Sequence, residues 1–302
     1  MGTFFCTLPA LPMLTLLPKD ARRYQICFLL LFLAVGMGTR DWNLQPGMVL
    51  LTLATCLSMQ AAVGLARANW NREVGAELYA TLPSALITGL SLSLLLRSNH
   101  FSTMMLAGGL AILSKVALRF RDKHIFNPAN FGIIAALVLA KDAWVSPGQW
   151  GEESGYILLF LSTGGLILQR VGRWDTSIAF LACYAGLEAV RNVWLGWSWD
   201  VWCHRLSSGS LLLFALFMLT DPRTIPNARS ARLLWAGAIA LLTFVLRNQF
   251  YLPTAMFWAL FCLSPLSPVL DLLWSKAPRF VWAKSAASPN APAAPVGSGS
   301  MA

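Results

Sequence analysis

The chain has 302 residues, 57% hydrophobic and 12% charged, with 23 Lys and Arg against 13 Asp and Glu and a formal net charge of +10. Soluble domains carry about a quarter charged residues, so this composition excludes an ordinary cytosolic globular enzyme. The basic residues sit in short loops between apolar runs, where cations orient helices against a membrane. No RNA- or DNA-binding signature accompanies them, so the charge points to a lipid bilayer and not to nucleic acid.

In chain order, the first 23 residues are mildly apolar but interrupted by Pro9, Pro12 and Pro18, and they close on Lys19-Asp20-Ala21-Arg22-Arg23. No cation precedes the apolar stretch, which favours a lead-in on the cytoplasmic membrane surface over a cleaved signal peptide. Ten apolar segments follow, at about 24–39, 48–66, 78–96, 101–118, 128–144, 155–169, 176–194, 207–220, 232–247 and 253–274. Each reads as a helix crossing roughly 30 Å of hydrocarbon. Assigning the loops alternately to two sides puts 17 Lys and Arg on the side of both termini and 6 on the other, while the acids divide 7 to 6. A bias carried by Lys and Arg alone places both termini in the cytoplasm of a bacterial-type inner membrane. Residues 283–302, rich in Ala, Pro, Ser and Gly, read as a disordered cytoplasmic tail.

Five segments precede residue 150 and five follow, and an odd number per half makes two related halves inverted in the membrane. Two interrupted helix starts sit in corresponding places: Asn127-Pro128-Ala129 and, 125 residues later, Leu252-Pro253-Thr254. The resulting division is a lead-in at 1–23, a five-helix half at 24–150, a second at 151–282 and the tail at 283–302. The fold class is an all-α polytopic membrane protein of about ten transmembrane helices.

Polar residues stand out against this background. Pro128 suits the first turn of a helix, where its missing N–H costs nothing, and Asn127 then sits at the N-cap. The same geometry presents a half-helix N-terminus to a midplane cavity, with Asn130 one turn in. Asp221-Pro222 closes the eighth segment, where Asp221 can hold a turn, pair with Arg229 or Arg232, or gate a cytoplasmic mouth. Glu188 and Arg191, three apart on one helix, share a face and are expected to form an intramembrane ion pair. Lys115, near a helix end, is expected to snorkel to the interface. The tryptophans at segment ends, such as Trp144, Trp194 and Trp199, read as an aromatic belt. No C-x-x-C pair, H-E-x-x-H or mid-span histidine pair occurs, so no metal or haem site and no independent catalytic constellation is expected. The six cysteines read as packing residues.

Phe126-Asn127-Pro128-Ala129 and Phe217-Met218-Leu219-Thr220-Asp221-Pro222 resemble the two signatures of the NqrB/RnfD family, membrane subunits of the sodium-pumping NADH–quinone reductase and of the Rnf complex. The resemblance extends through Leu206-Ser207-Ser208-Gly209-Ser210 and from Pro265 to Asp271, covering roughly residues 100–280. It implies two inverted five-helix halves, similar to urea transporters. Electron-carrying members hold FMN through a threonine of a Ser-Gly-Ala-Thr-like motif. The corresponding stretch here, Asp142 to Gly151, has no threonine. Ser146 is its hydroxyl, followed by Pro147, so covalent flavin is not expected. This shortened form is similar to RnfD-like proteins found alone, including those linked to enediyne biosynthesis clusters.

The leading reading is an RnfD/NqrB-like protein with a polar pathway between its halves for a small solute, an ion or a noncovalently held flavin (FMN or riboflavin). Asn127, Pro128, Asn130, Asp221, Pro222 and Thr254 are the candidates to line it. The alternatives are an electron-transfer component of an ion-translocating redox complex using noncovalent flavin or quinone, and an accessory protein of a biosynthetic cluster. Expected partners are the bilayer, redox or biosynthetic subunits and a second copy of the chain.

Overall fold

A computed structural model describes residues 20–39, 44–67, 74–121, 123–146, 149–150 and 154–274, with backbone alone at 67, 74–79 and 154. The expected tail and all but the last residues of the lead-in lie outside the described residues. The chain is an all-α membrane protein. Its first half runs α1 (Ala21–Thr39), α2 (Pro46–Arg67), α3 (Val74–Leu95), α4 (Phe101–Ala117) and α5 (Pro128–Leu139). In the second half α6 (Ser154–Val171) and α7 (Trp174–Trp194) precede α8 (Trp199–Leu206), and α9 (Gly209–Leu213) widens into a π-helical turn, Phe214–Met218. It ends with α10 (Arg229–Asn248), α11 (Ala255–Leu263) and α12 (Leu266–Leu273). Two short antiparallel strand pairs join the helices: β1 (Leu96–Ser98) with β4 (Ala143–Val145), and β2 (Arg119–Phe120) with β3 (Lys123–His124).

Each of the ten apolar segments coincides with a helix, but not all of them continue unbroken. Among the described residues, three helices are long and apolar enough to cross a membrane by length and composition, α1, α2 and α10, or five spans if each bent pair counts as one. The bent pairs are α8 with α9 and its π turn, at 48°, and α11 with α12, at 44°. The fifth segment, apolar to residue 144, leaves the helix after Leu139 because Ala143–Val145 extends to pair with β1. The tenth breaks at Ser264-Pro265, between α11 and α12. α8 falls outside the ten segments, because its sequence Trp-Asp-Val-Trp-Cys-His-Arg-Leu mixes polar and aromatic residues.

Neighbours repeat between the halves. α2 packs on α4 as α7 packs on α10, α4 on α5 as α10 on α11, and α1 on α3 as α6 on α9 and the π turn. α7 and α10 run parallel, since Asp175 near the start of one meets Arg232 near the start of the other, while Glu188 near the end of α7 meets Asn248 at the end of α10. An aromatic cluster of Phe32, Trp150, Phe160 and Phe217, with edge-to-face rings 4.9–6.3 Å apart, fills the space between α1, α6 and the π turn.

Local chemistry explains the helix starts. Asp142 reaches back to α4, where Oδ2 accepts the N–H groups of Asn99 and His100 and Oδ1 accepts the Thr103 hydroxyl at 2.7 Å. The carboxylate thereby satisfies donors that a helix N-terminus leaves open, and the Thr103 bond holds its pKa below the usual carboxylate range. α5 and α11, with 12 and 9 residues, are only about 18 and 14 Å long. Neither crosses a bilayer alone.

Gly132 lets α5 settle onto α4: a Cβ there would lie 2.6 Å from the Ala107 carbonyl oxygen and 3.0 Å from the Ala111 Cβ. Gly109, on α4, has nothing within 4 Å of such an atom. Gly132→Ala should therefore destabilise the chain by about 1–3 kcal/mol through overpacking, seen as a lower melting temperature in detergent. Gly109→Ala should leave it unchanged or raise it.

Candidate functional site

The two short helices meet near their N-terminal turns. Asn127 caps α5, its Oδ1 accepting the Asn130 N–H at 3.1 Å as the Asn-Pro sequence predicts, and its Nδ2 donates to the Met218 carbonyl at 3.1 Å. Met218 ends the π turn, so one asparagine caps one half and ties it to the other. Asn130, fully buried, donates from Nδ2 to the Phe257 carbonyl in the first turn of α11 at 3.1 Å. Its Oδ1 is buried without a hydrogen-bond partner. Phe126 stacks on Phe261 with ring centroids 4.8 Å apart, and Phe131 lies 6.0 Å from the same ring. The overlap of residues 126–131 with 257–261 makes α5 and α11 run past each other in opposite directions.

Charged residues surround the base of this junction. Asp221 holds a turn, one of the roles open to it in the sequence, with Oδ1 accepting the Arg223 N–H at 3.0 Å. It does not take Arg232, which pairs with Asp175 at 2.5 Å, with Arg229 3.9 Å from the same carboxylate. Burial raises the pKa of Asp221, against the pull of the Arg223 N–H and of Lys115, Arg223 and Lys123. Arg232 also donates to the Asn227 carbonyl at 2.6 Å, and Asn227 donates its N–H to Asp271 at 2.7 Å. Asp271 in turn takes Lys123 at 2.6 Å, and the same ammonium donates to the Ile225 carbonyl. This network clamps the starts of α7 and α10 to the β2–β3 hairpin and α12. Sequence reasoning missed it, since its partners lie up to 148 residues apart.

Other predicted residues fall elsewhere. Pro222 is buried in the turn beside Asp221. Thr254 precedes α11, its carbonyl accepting the N–H groups of Phe257 and Trp258 while its side chain provides no cap. Two expectations are corrected. Glu188 pairs with Arg205 at 3.0 Å and accepts from Asn248 at 2.9 Å, whereas Arg191 lies 4.6 Å over the Trp197 ring. Lys115 does not snorkel: it is 6% exposed and donates to the Ser84 carbonyl and hydroxyl at 3.1 and 3.2 Å, because α3 supplies acceptors within reach. Ser146 follows β4, its carbonyl accepting the Gln149 N–H. With no threonine on this stretch and Gln149 committed to Arg97 and to the Leu94 carbonyl, the loop does not fit a threonine-linked flavin.

The geometry is that of a multi-pass membrane protein in which short and bent helices meet. Residues 140–278 match the model of the NQR2, RnfD, RnfE family. The match takes in Asp221-Pro222 and α6 to α12 and begins after Asn127-Pro128. The D subunit of the ion-translocating oxidoreductase complex of Stutzerimonas stutzeri is 35% identical over 133 residues, 42% of this chain and 35% of that protein. The protein of the same name from Halorhodospira halophila is 33% identical over 42% of this chain and 35% of its own length. The Erwinia tasmaniensis protein so named is 28% identical over 57% and 42%. The matched region thus spans about a third to two-fifths of the length of these relatives.

His124, in the hairpin beside the junction, is held neutral. Burial, with Arg223, Lys115 and Arg119 nearby, lowers its pKa to about 3, and its Nδ1 has no partner. An unfolded histidine titrates near 6.5, so between these values the unfolded chain binds the extra proton and stability falls as pH falls. Melting temperatures in detergent should decline from pH 7 to pH 5, and His124→Asn should flatten that decline relative to its own value at pH 7.

Proposed function

We propose that the chain is a membrane component of an ion-translocating redox type, with both termini on the cytoplasmic face of an inner membrane. Its two halves form an inverted repeat and enclose a polar path at the α5–α11 junction for a small ion or a hydrogen-bond-donating solute. The observation that carries this reading is the Asn130 Oδ1, an acceptor buried without a partner where the two short helices cross. Such an orphan is costly in an apolar interior, and a cation, a water or a solute proton would satisfy it. Asn127, Pro128, Asp221, Pro222 and Thr254 frame the path rather than supply its acceptor. The repeated neighbour pattern of the helices supports the inverted halves. No covalent flavin enters this reading, and noncovalent FMN or riboflavin is the cofactor compatible with it.

The second reading, electron transfer with noncovalent flavin or quinone, draws on the name of the relatives, an oxidoreductase complex. In it, redox subunits are the partners.

Sodium flux into vesicles containing the purified protein tests the first reading. Asn130→Ala should reduce flux about tenfold or more while the size-exclusion profile is retained, and equal flux would refute the pathway. Asn127→Ala should additionally cost about 1 kcal/mol of stability as a lost cap. An absorption spectrum showing acid-releasable flavin near one per chain would favour electron transfer.

A further inference from the structure

At the end of the bundle away from the Asp175–Arg232 pair, α7, α8 and α10 converge on an open cavity of about 220 Å³. Three arginines line it, Arg191 from α7, Arg205 from α8 and Arg247 from α10, together with Asn248, Tyr251 and Pro253. Two of the three are not neutralised. Glu188 is the carboxylate that faces them, and it is taken by Arg205 and Asn248. Arg191 lies over Trp197, which fixes the guanidinium without cancelling its charge, and its buried Nη1 has no hydrogen-bond partner. Arg247 has no acceptor among the described residues. Asp200, at the exposed start of α8, does not line the cavity.

We propose that this cavity binds the phosphate group of a phosphomonoester. Like charges held this close repel, and they are stable together when an anion bridges them. Guanidinium forks match phosphate oxygens in two-point bonds, and the two uncompensated charges equal those of a phosphomonoester dianion. Pro253 and Tyr251 bring the start of α11 to the cavity wall, and its dipole adds to the positive field. Tyr251 is held at φ 54°, a left-handed conformation rarely adopted by a bulky residue, and its side chain is at the rim. The cavity is smaller than the roughly 300 Å³ at which drug-sized ligand sites begin, so it holds the phosphate while the rest of the ligand lies outside. Trp194, Trp199 and Val193 are exposed at the same end, and exposed aromatic side chains of this kind are enriched where membrane proteins meet lipid headgroups. A phosphorylated lipid and a soluble phosphate ester share this chemistry. The site is separate from the α5–α11 junction and does not depend on its proposed role.

The test uses the full chain in neutral detergent and in phosphatidylcholine nanodiscs. Inorganic phosphate at constant ionic strength should raise the melting temperature of the wild type more at pH 8 than at pH 6, because the dianion is the ligand. Phosphatidic acid in the nanodiscs should be retained on purification. Arg247→Gln removes no ion pair of the fold, so it should leave the unliganded melting temperature unchanged while weakening either interaction about tenfold or more. Arg191→Gln, which also removes the contact with the Trp197 ring, should weaken both interactions in the same way when compared with its own unliganded melting temperature. A response to phosphate identifies a soluble ester as ligand, and retention of phosphatidic acid without a phosphate response identifies a lipid headgroup. No response to either probe, or equal responses in wild type and Arg247→Gln, would overturn the proposal.

Discussion

A helix that stops inside a membrane protein leaves carbonyls and N–H groups that no water will meet, and the architecture of this chain follows from where those groups find partners. Asn127 does most with least. One side-chain oxygen closes the first turn of α5 and one side-chain nitrogen satisfies the carbonyl at the end of the π turn. Asn130 adds a second tie, its Nδ2 donating to the Phe257 carbonyl in the first turn of α11. The extended backbone after α5 is satisfied by β1, and the open start of α4 by Asp142. Without these side chains the short helices would have no reason to stop where they do, and the halves would have little polar contact at their centre.

The parts of this design that lie within one turn are legible in the sequence. Asn-Pro predicts a capped helix start, and among the described residues the ten apolar segments mark every helix except α8. Asp221 forming a turn with Arg223 is among the readings its neighbours allow. Longer-range facts are not legible, for a physical reason. Glu188 has Arg191 one turn away, but Arg205, 17 residues on, arrives with better geometry while Trp197 captures Arg191. Lys115 stands close enough to a helix end to reach water, and it is kept inside because α3 presents Ser84 beside it. The π turn leaves no pattern in Phe-Ala-Leu-Phe-Met that separates it from an ordinary helical turn.

The two ends of the second half differ in how their charges are arranged. Around Asp175 and Asp271 each carboxylate meets a cation, and backbone groups fill the remaining bonds. Around Glu188 three guanidiniums gather at one cavity, and the carboxylate bonds Arg205 alone among them. A closed network of the first kind fixes geometry. An open one of the second kind keeps unspent bonding capacity and a local positive potential, so the two ends are suited to different tasks even though they belong to the same pair of helices.

That pair has a mechanical consequence. α10 is 20 residues long, a rod of about 30 Å, and it is pinned to α7 near both ends, at Asp175–Arg232 and at Glu188–Asn248. Two helices fastened at both ends cannot slide past each other by a turn without breaking a buried polar bond. They behave as a single strut, and any displacement within this body is directed to the short elements beside it. α11 hangs from this strut and meets α5 through a side-chain hydrogen bond and a few aromatic rings, which makes that crossing the compliant joint of an otherwise stiff frame.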